Sequence, residues 1–354
     1  MSNLKNEIQS EKNKDNYDSV ILSIVIPSYN SEKLLSRCIN ALENQSAKKT
    51  LFEIAIADDG SNDETVEMLE NFKAKSKLKL QWTTIKNSGP ATARNTGVLI
   101  SSGKWIGFLD ADVIPNPDWV EKALELIRNN PSAGAFEGRT EVPQRGQVTP
   151  FSHQTGNTEG GRYLTCNLIV RKNLAHFHQA YKIPFREDTD LAFSILESGY
   201  KIIFSNELAV QHPPLESSYS RPFSLAQRYY YDGLLARRFP SRYNNELDAH
   251  KIFGLKIPHL KRKLYAVFML SQIIILTGII KGFSASVILL CGVFYLIMFI
   301  FTSIGGFRYS RLNELTVKDC LIYFLQLQLL PWVMSYSLFR GWLDFRHTKK
   351  FTAI

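Results

Sequence analysis

Two apolar runs, Leu264 to Ile280 and Ala285 to Ile304, are parted only by the link KGFS. A bilayer's hydrocarbon core takes roughly 17–25 residues of helix to cross, and each run is about that long. Helices of soluble domains are seldom apolar all round over such a length, so the pair reads as a helical hairpin in a membrane. Lys261, Arg262 and Lys263 precede it and Arg308 and Arg311 follow it. Both flanks therefore fit the cytoplasmic side, and everything before the hairpin is expected on that side of a cytoplasmic (inner) membrane crossed more than once. A third apolar segment, Cys320 to Phe339, contains Gln326, Gln328 and Pro331. As a span it would carry Arg340, Arg346, Lys349 and Lys350 to the far side, against the positive-inside tendency; as a re-entrant or interfacial helix it would not. The expectation is a third span, because so long an apolar segment is costly to leave on a surface, and residues 264–345 are read as a membrane region of two to three helices.

Before Leu264 the pattern is that of a soluble α/β protein. Lys and Arg together number 42 against 33 Asp and Glu, and much of the excess falls in 216–263, at Arg221, Arg228, Arg237, Arg238, Arg242, Lys251, Lys256 and Lys261 to Lys263. Next to a membrane segment, such a collar fits an anionic leaflet better than nucleic acid, with an ordinary solvated basic face as the alternative. No nucleic-acid partner is expected. Cys38, Cys166, Cys291 and Cys320 show no CxxC spacing, which argues against a zinc site or a disulfide framework. Residues 1–19 are polar and charged without an apolar core, so they are neither signal peptide nor span and are read as a disordered tail.

From residue 20 the chain alternates strands with helices. VILSIVIPSYN is a β-rich run, followed by Leu34, Leu35, Cys38, Ile39 and Leu42 at helical spacing after Ser31. FEIAIADDGSND and ETVEMLENFKAK repeat the strand and helix, then LQWTTI with GPATARNTGVLI, then KWIGFLDAD as a fourth strand. This alternation predicts a mostly parallel sheet in a domain over 20–215. Ligands of such sheets gather at the carboxyl ends of the strands, where Tyr29 and Asn30, Asp58 to Asp63, and Asp110 with Asp112 fall.

In an extended chain Asp110 and Asp112 would share a face and converge, an arrangement that calls for a hard divalent cation between them. A solvated turn at the strand end is the plainer alternative. FREDTDLAFSILESGYKI reads as a helix entered just after Glu187 and Asp188 and closed by Gly199. Acidic residues there fit either a functional site or a helix cap favoured by the dipole. His212, in AVQHPPLESSY, is by itself a weak signal.

Taken in order, SIVIPSYN, IADDGSNDET, NSGPATARNTG, FLDAD and REDTDLAFSILESGYKI resemble family 2 glycosyltransferases of the GT-A fold, over about residues 20–215. The resemblance implies an α/β GT-A fold, followed here by C-terminal transmembrane helices. It implies that Pro27 and Tyr29 line a nucleotide pocket, that Asp59 holds the base, and that Arg94 lies in the same pocket. It makes Asp110 and Asp112 a DXD motif for Mg²⁺ or Mn²⁺ on the nucleotide diphosphate, with His212 as a further metal ligand. Asp188 matches the general base and Glu187 its neighbour that orients it or the acceptor; Thr165, Cys166 and Asn167 fall in the acceptor-side loop. SLAQRYYYDGLLARRFP carries Gln227 and Arg228 without the Gln-x-x-Arg-Trp element of processive synthases, so processive polymerisation is not expected.

The expected activity is inverting, metal-dependent transfer of a sugar from a nucleotide-sugar donor to a hydroxyl of a membrane-associated acceptor, a lipid-linked saccharide or glycolipid. Synthesis of a polyprenyl-phosphate sugar is the alternative reaction. A catalytically silent membrane scaffold is the alternative of another class, and the acidic set Asp59, Asp110, Asp112 and Asp188 argues against it.

Overall fold

The computed structural model describes residues 20–143, 149–152, 155–214, 216–247, 250–252, 255–307 and 315–353. The 1–19 tail, Arg308 and Arg311 lie outside the described residues. The chain forms two compact units. One comprises the residues up to Glu141 with Asn157–Lys182 and Gly199–Gln211; the other comprises Val142–Gly156, Ile183–Ser198 and the chain from His212 onward.

The first unit opens with β1 (Leu22–Ser28), α1 (Glu32–Glu43), β2 (Phe52–Asp58), α2 (Thr65–Lys75), β3 (Leu80–Thr84), α3 (Pro90–Ile100) and β4 (Trp105–Leu109). It continues through β5 (Ile114–Pro115), α4 (Trp119–Asn129), β6 (Ala135–Glu141), β7 (Asn167–Arg171) and β8 (Ile202–Gln211). These strands make one sheet in the order β3-β2-β1-β4-β7-β6-β8-β5. The expected parallel pairing holds across β3, β2, β1 and β4, and again between β6 and β8. β7 runs antiparallel to both β4 and β6, as a strand can when no crossover helix precedes it. β1 and β2 are buried almost throughout, the mark of parallel strands covered on both faces. On α1, Leu35, Cys38, Ile39 and Leu42 form the buried stripe, whereas Leu34, which the spacing also puts in it, is 39% exposed. α3 approaches β1 closely because residue 97 is Gly, where any Cβ would overlap the Val25 side chain.

The fourth strand stops earlier than expected. β4 ends at Leu109, and Asp110 to Val113 form a turn closed by the Val113 N–H on the Asp110 carbonyl at 3.3 Å. Asp110 and Asp112 therefore share a turn, not an extended strand. Asn167, read from sequence as near sugar or acceptor, is fully buried. Its amide accepts from the Trp119 indole N–H at 2.9 Å and donates to the Arg139 and Leu208 carbonyls at 2.9 and 2.8 Å, fastening α4, β6, β7 and β8 together.

The second unit contains α5 (Glu187–Glu197), α6 (Arg221–Gln227), a 3₁₀ turn at Arg228–Tyr231, α7 (Asp232–Arg238) and α8 (Pro240–Asn245). A hairpin of β9 (His250–Ile252) and β10 (Leu255–Ile257) precedes α9 (Leu260–Lys281), α10 (Ala285–Phe307) and α11 (Val317–Asp344). The last three helices are each long and apolar enough to cross a membrane. α11 starts where Thr316 and Asp319 form a capping box, with each side chain accepting the other's backbone N–H. Gln328, whose polarity weighed against a span, joins the helices. Its Oε1 accepts from Gln272 Nε2 of α9 at 3.0 Å and from the Tyr295 hydroxyl of α10 at 2.6 Å, while Trp332 donates to Gln272 Oε1 at 2.7 Å. Hydrogen bonds between helices in apolar surroundings contribute roughly 0.6–2 kcal/mol each. Gln328→Leu is accordingly expected to lower the thermal unfolding temperature of the detergent-solubilised protein; an unchanged temperature would remove Gln328 as a junction.

Candidate active site

The sheet order reverses between β1 and β4, and in such sheets the crevice beyond the carboxyl ends at the reversal is where ligands bind. β1 is in register with both neighbours, since Leu22 pairs with Phe52 on one side and with Trp105 on the other. Tyr29, Asp59 and Asp110 are thus the residues that follow three adjacent parallel strands. Pro27 is the second-last residue of the β1 ladder, opposite Ala57. The Tyr29 ring stands 47% exposed beyond it. Asn30, in the left-handed region at φ 47°, donates its N–H to Ser61 Oγ and accepts the Asn62 N–H on Oδ1, both at 2.8 Å. These bonds lace the loop after β1 to the turn after β2.

Asp59 is nearly buried, and its two oxygens accept the Ser88 and Gly89 N–H groups at 2.7 and 2.9 Å. It therefore holds the start of α3, where the helix dipole favours a carboxylate. From α3, one turn before Gly97, Arg94 extends its Nη2 to Asp110 Oδ1 at 2.8 Å, with its guanidinium 5.5 Å from the Phe177 ring centre. Arg94 is 3% exposed and the Asp110 side chain 30%, so a buried cation steadies a carboxylate that reaches the surface. Beneath the same turn lies the buried Cys38 thiol. Burial raises its pKa first, and the charges of Asp112 and Asp110 raise it further. Both carboxylates thus act on one neighbourhood although the chain between them is turned. Two hard oxygen donors on one turn, one of them braced by Arg94, are a donor set that suits Mg²⁺ or Mn²⁺.

Glu187, Asp188 and His212 belong to the second unit. α5 starts at Glu187, two residues earlier than a helix entered after the Glu-Asp pair. It follows Arg186, which sits at φ 74°, a strained setting for a residue with a side chain. The first turn's acidic groups have different tasks. Asp190 takes a two-pronged bond from Arg238 at 2.7 and 3.1 Å and serves the fold. Asp188 remains partly exposed, with Oδ1 accepting the Thr189 N–H at 2.6 Å. Glu187 is buried. Burial lowers the pKa of the nearby Arg228, Glu187 offsets this, and Arg221 adds to it. His212 directly follows β8, and its Nδ1 lies 3.0 Å from the Pro213 carbonyl. A carbonyl oxygen can only accept, so Nδ1 is the donor in this contact.

The basic collar is partly an internal device. Arg238 and Arg242 pair with Asp190 and Glu197, and Arg237 stacks 4.4 Å from the Trp342 ring. Asp232, which the sequence reading passed over, is fully buried between Arg186, at 2.8 Å, and Arg262 of α9, with the Tyr243 hydroxyl at 3.5 Å. Burial, then the Asp232 charge, pushes the Tyr243 pKa up. The available signal was a lone acid in the cationic run 221–238. Asp232→Asn leaves two guanidinium groups without their shared counter-charge, and breaking a buried pair in this way destabilises by roughly 3 kcal/mol. The expected result is a clear drop in unfolding temperature; a change within a degree would mean that the pairs contribute little.

The sequence profile described as Glycosyl transferase family 2 matches residues 23–190, from β1 to the Asp190 turn of α5. "Glycosyltransferase AglE" of Haloferax volcanii is 26% identical over 223 residues, covering 57% of this chain and 68% of that protein. "Poly(ribitol-phosphate) beta-N-acetylglucosaminyltransferase TarS" of Staphylococcus aureus is 32% identical over 105 residues, 30% of this chain and only 18% of the relative's length. Among solved structures, the mannosyltransferase PcManGT from Pyrobaculum calidifontis, in complex with GDP-Man and Mn²⁺, superposes with a TM-score of 0.52 at 16% identity, covering 94% of this chain and 88% of that one. That likeness is one of fold. With the profile running through the strand-end motifs and the α5 acidic turn, residues 23–190 belong to glycosyl transferase family 2, and the chain is a glycosyltransferase with a GT-A-type α/β domain.

Proposed function

We propose that this glycosyltransferase moves a sugar, with inversion, from a nucleotide-sugar donor to a hydroxyl of a membrane-associated acceptor, a lipid-linked saccharide or a glycolipid. The observation that carries the reading is the set of residues following three adjacent parallel strands, Tyr29, Asp59 and Asp110, at the point where the sheet order reverses. Pro27 and Tyr29 line the nucleotide, with Asp59 beside them bracing the start of α3 as well as meeting the base. Arg94 acts on the donor chiefly through Asp110, which it holds in place.

Asp110 and Asp112 would hold Mg²⁺ or Mn²⁺, with His212 as a further ligand, and the bound cation supplies charge neutralisation for the departing diphosphate. The bound GDP-Man and Mn²⁺ of PcManGT are consistent with that donor class and cation. Asp188 takes the acceptor's proton as its oxygen attacks the sugar's anomeric carbon, and Glu187 orients it. α9 to α11 are long and apolar enough to hold the enzyme at a membrane, and on this reading the preceding domain faces the cytoplasm, where a lipid-borne acceptor is concentrated.

A screen of nucleotide sugars by thermal unfolding tests the donor assignment, because a ligand at about 100 times its Kd stabilises by roughly 2.7 kcal/mol. One nucleotide sugar is expected to raise the unfolding temperature in Mn²⁺ or Mg²⁺ and to do so much less after chelation. No stabilisation by any nucleotide sugar, with or without metal, would overturn the assignment.

A further inference from the structure

We infer that α11 does not cross the membrane but lies within the leaflet on the side from which α9 enters, so that the chain crosses only twice. This rests on the reading of α9 and α10 as a membrane hairpin. α11 runs beside the segment 219–238 in the same direction. At its start, the Tyr219 hydroxyl donates to Asp319 at 2.8 Å and Gln326 Nε2 donates to the Tyr219 carbonyl at 2.7 Å. At its end, the Tyr230 hydroxyl donates to Asp344 at 2.9 Å, and the Phe351 N–H meets the Arg238 carbonyl at 3.0 Å. Between them Tyr323, Leu327, Leu330 and Met334 are buried in one cluster with Phe151 and Ala226. Gly341 is packed against the Tyr230 carbonyl so closely that a Cβ would overlap it.

Were α11 to traverse the hydrocarbon, the segment fastened along it would enter too, with Arg221, Arg228, Arg237 and Arg238. Guanidinium groups are costly at the bilayer centre and are placed there only for a water-filled or paired pathway. The contacts of α11 with the hairpin agree. They involve Met269 and Gln272 of α9 and Tyr295 and Phe299 of α10, about midway along each helix and ten or more residues from the turn at 282–284. Toward that turn Leu276, Ile279, Ile280, Leu289 and Leu290 are 61–72% exposed, not covered along a flank by a third parallel span.

The other face of α11 is apolar. Leu321, Leu325, Leu329, Trp332, Tyr336 and Phe339 recur every three or four residues and are 41–71% exposed. Lipid acyl chains are the occupant this face fits, because the helix crosses a membrane hairpin and has Lys318 near one end and Arg340, Arg346, Lys349 and Lys350 near the other. The in-plane placement also keeps those cations on the entry side, which removes the conflict with the positive-inside tendency. Through Phe351, Arg238 and Asp190, the leaflet-bound helix is tied to the first turn of α5, which carries Asp188.

The test is topology mapping on the full chain in sealed vesicles, with protease-cleavable tags before residue 20, in the 282–284 turn and after Ala353. The first and last tags are expected on one side and the turn tag on the other. A tag after Ala353 on the far side from the first would overturn the inference. A turn tag on the same side as the first would overturn the hairpin reading itself, and the inference with it. Nitroxide labels at Leu325→Cys and Phe339→Cys, with Cys291→Ser and Cys320→Ser, give an independent measure. They sit about 21 Å apart along the helix axis. Equal depths in the leaflet support the in-plane helix, and a depth difference near that full distance refutes it.

Discussion

Asp188→Asn is expected to lower the transfer rate by roughly two to four orders of magnitude, the usual worth of a general base, while metal-dependent donor binding is retained. A sugar or lipid hydroxyl is a poor nucleophile until its proton is taken, whereas a polyprenyl phosphate is already an anion at neutral pH. The size of the loss therefore reads out the acceptor's chemistry. Asp188 suits the test because it is partly exposed on the first turn of α5, where Asp190, not Asp188, makes the structural bond to Arg238. Hydrolysis of the donor to free sugar should fall less, since water can lose its proton to bulk solvent. The measurement is transfer of labelled sugar to a membrane lipid extract, with donor affinity in parallel. A mutant within a few-fold of wild type that makes an acid-labile lipid phosphate sugar would replace the hydroxyl acceptor by a polyprenyl phosphate.

The second large effect is expected at the DXD turn. Asp112→Ala removes one of two carboxylates on a single turn and should lower turnover by about three orders of magnitude or more, because the diphosphate's charge is then poorly compensated. Donor affinity in Mn²⁺ should weaken as well. Asp112 is partly exposed, and the turn's closing bond runs between the Val113 N–H and the Asp110 carbonyl. Steady-state kinetics with a thermal unfolding control check this. Turnover unchanged in the variant would remove the turn as a metal-binding element.

How far the sequence revealed this molecule depended on the range of the interactions. β1 to β4 and α1 to α3 follow from patterns a few residues long, and so does the hairpin of α9 and α10. The end of β4 was harder to read, because Asp110 and Asp112 alternate like strand residues and only the closure of the turn to Val113 ends the ladder. Asn167 lay in a motif-like stretch, yet its amide is consumed by Trp119, Arg139 and Leu208, partners far away in sequence. The same holds for Asp232, whose partners Arg186 and Arg262 come from separate segments. The acidic run at α5 could not be divided between fold and chemistry from sequence, because Arg238, which claims Asp190, lies in another helix. Gln328 weighed against a membrane helix as a residue type but fits as a shared acceptor for Gln272 and Tyr295.

The most direct measurement is transfer itself. Membranes containing the protein are incubated with labelled nucleotide sugars, in Mn²⁺ or Mg²⁺ and in chelator, and the organic-extractable fraction is counted. The predicted result is label in that fraction from one donor, dependent on the divalent cation and absent from membranes carrying Asp112→Ala or Asp188→Asn. Label that appears equally in chelator, or equally with both variants, would contradict the account.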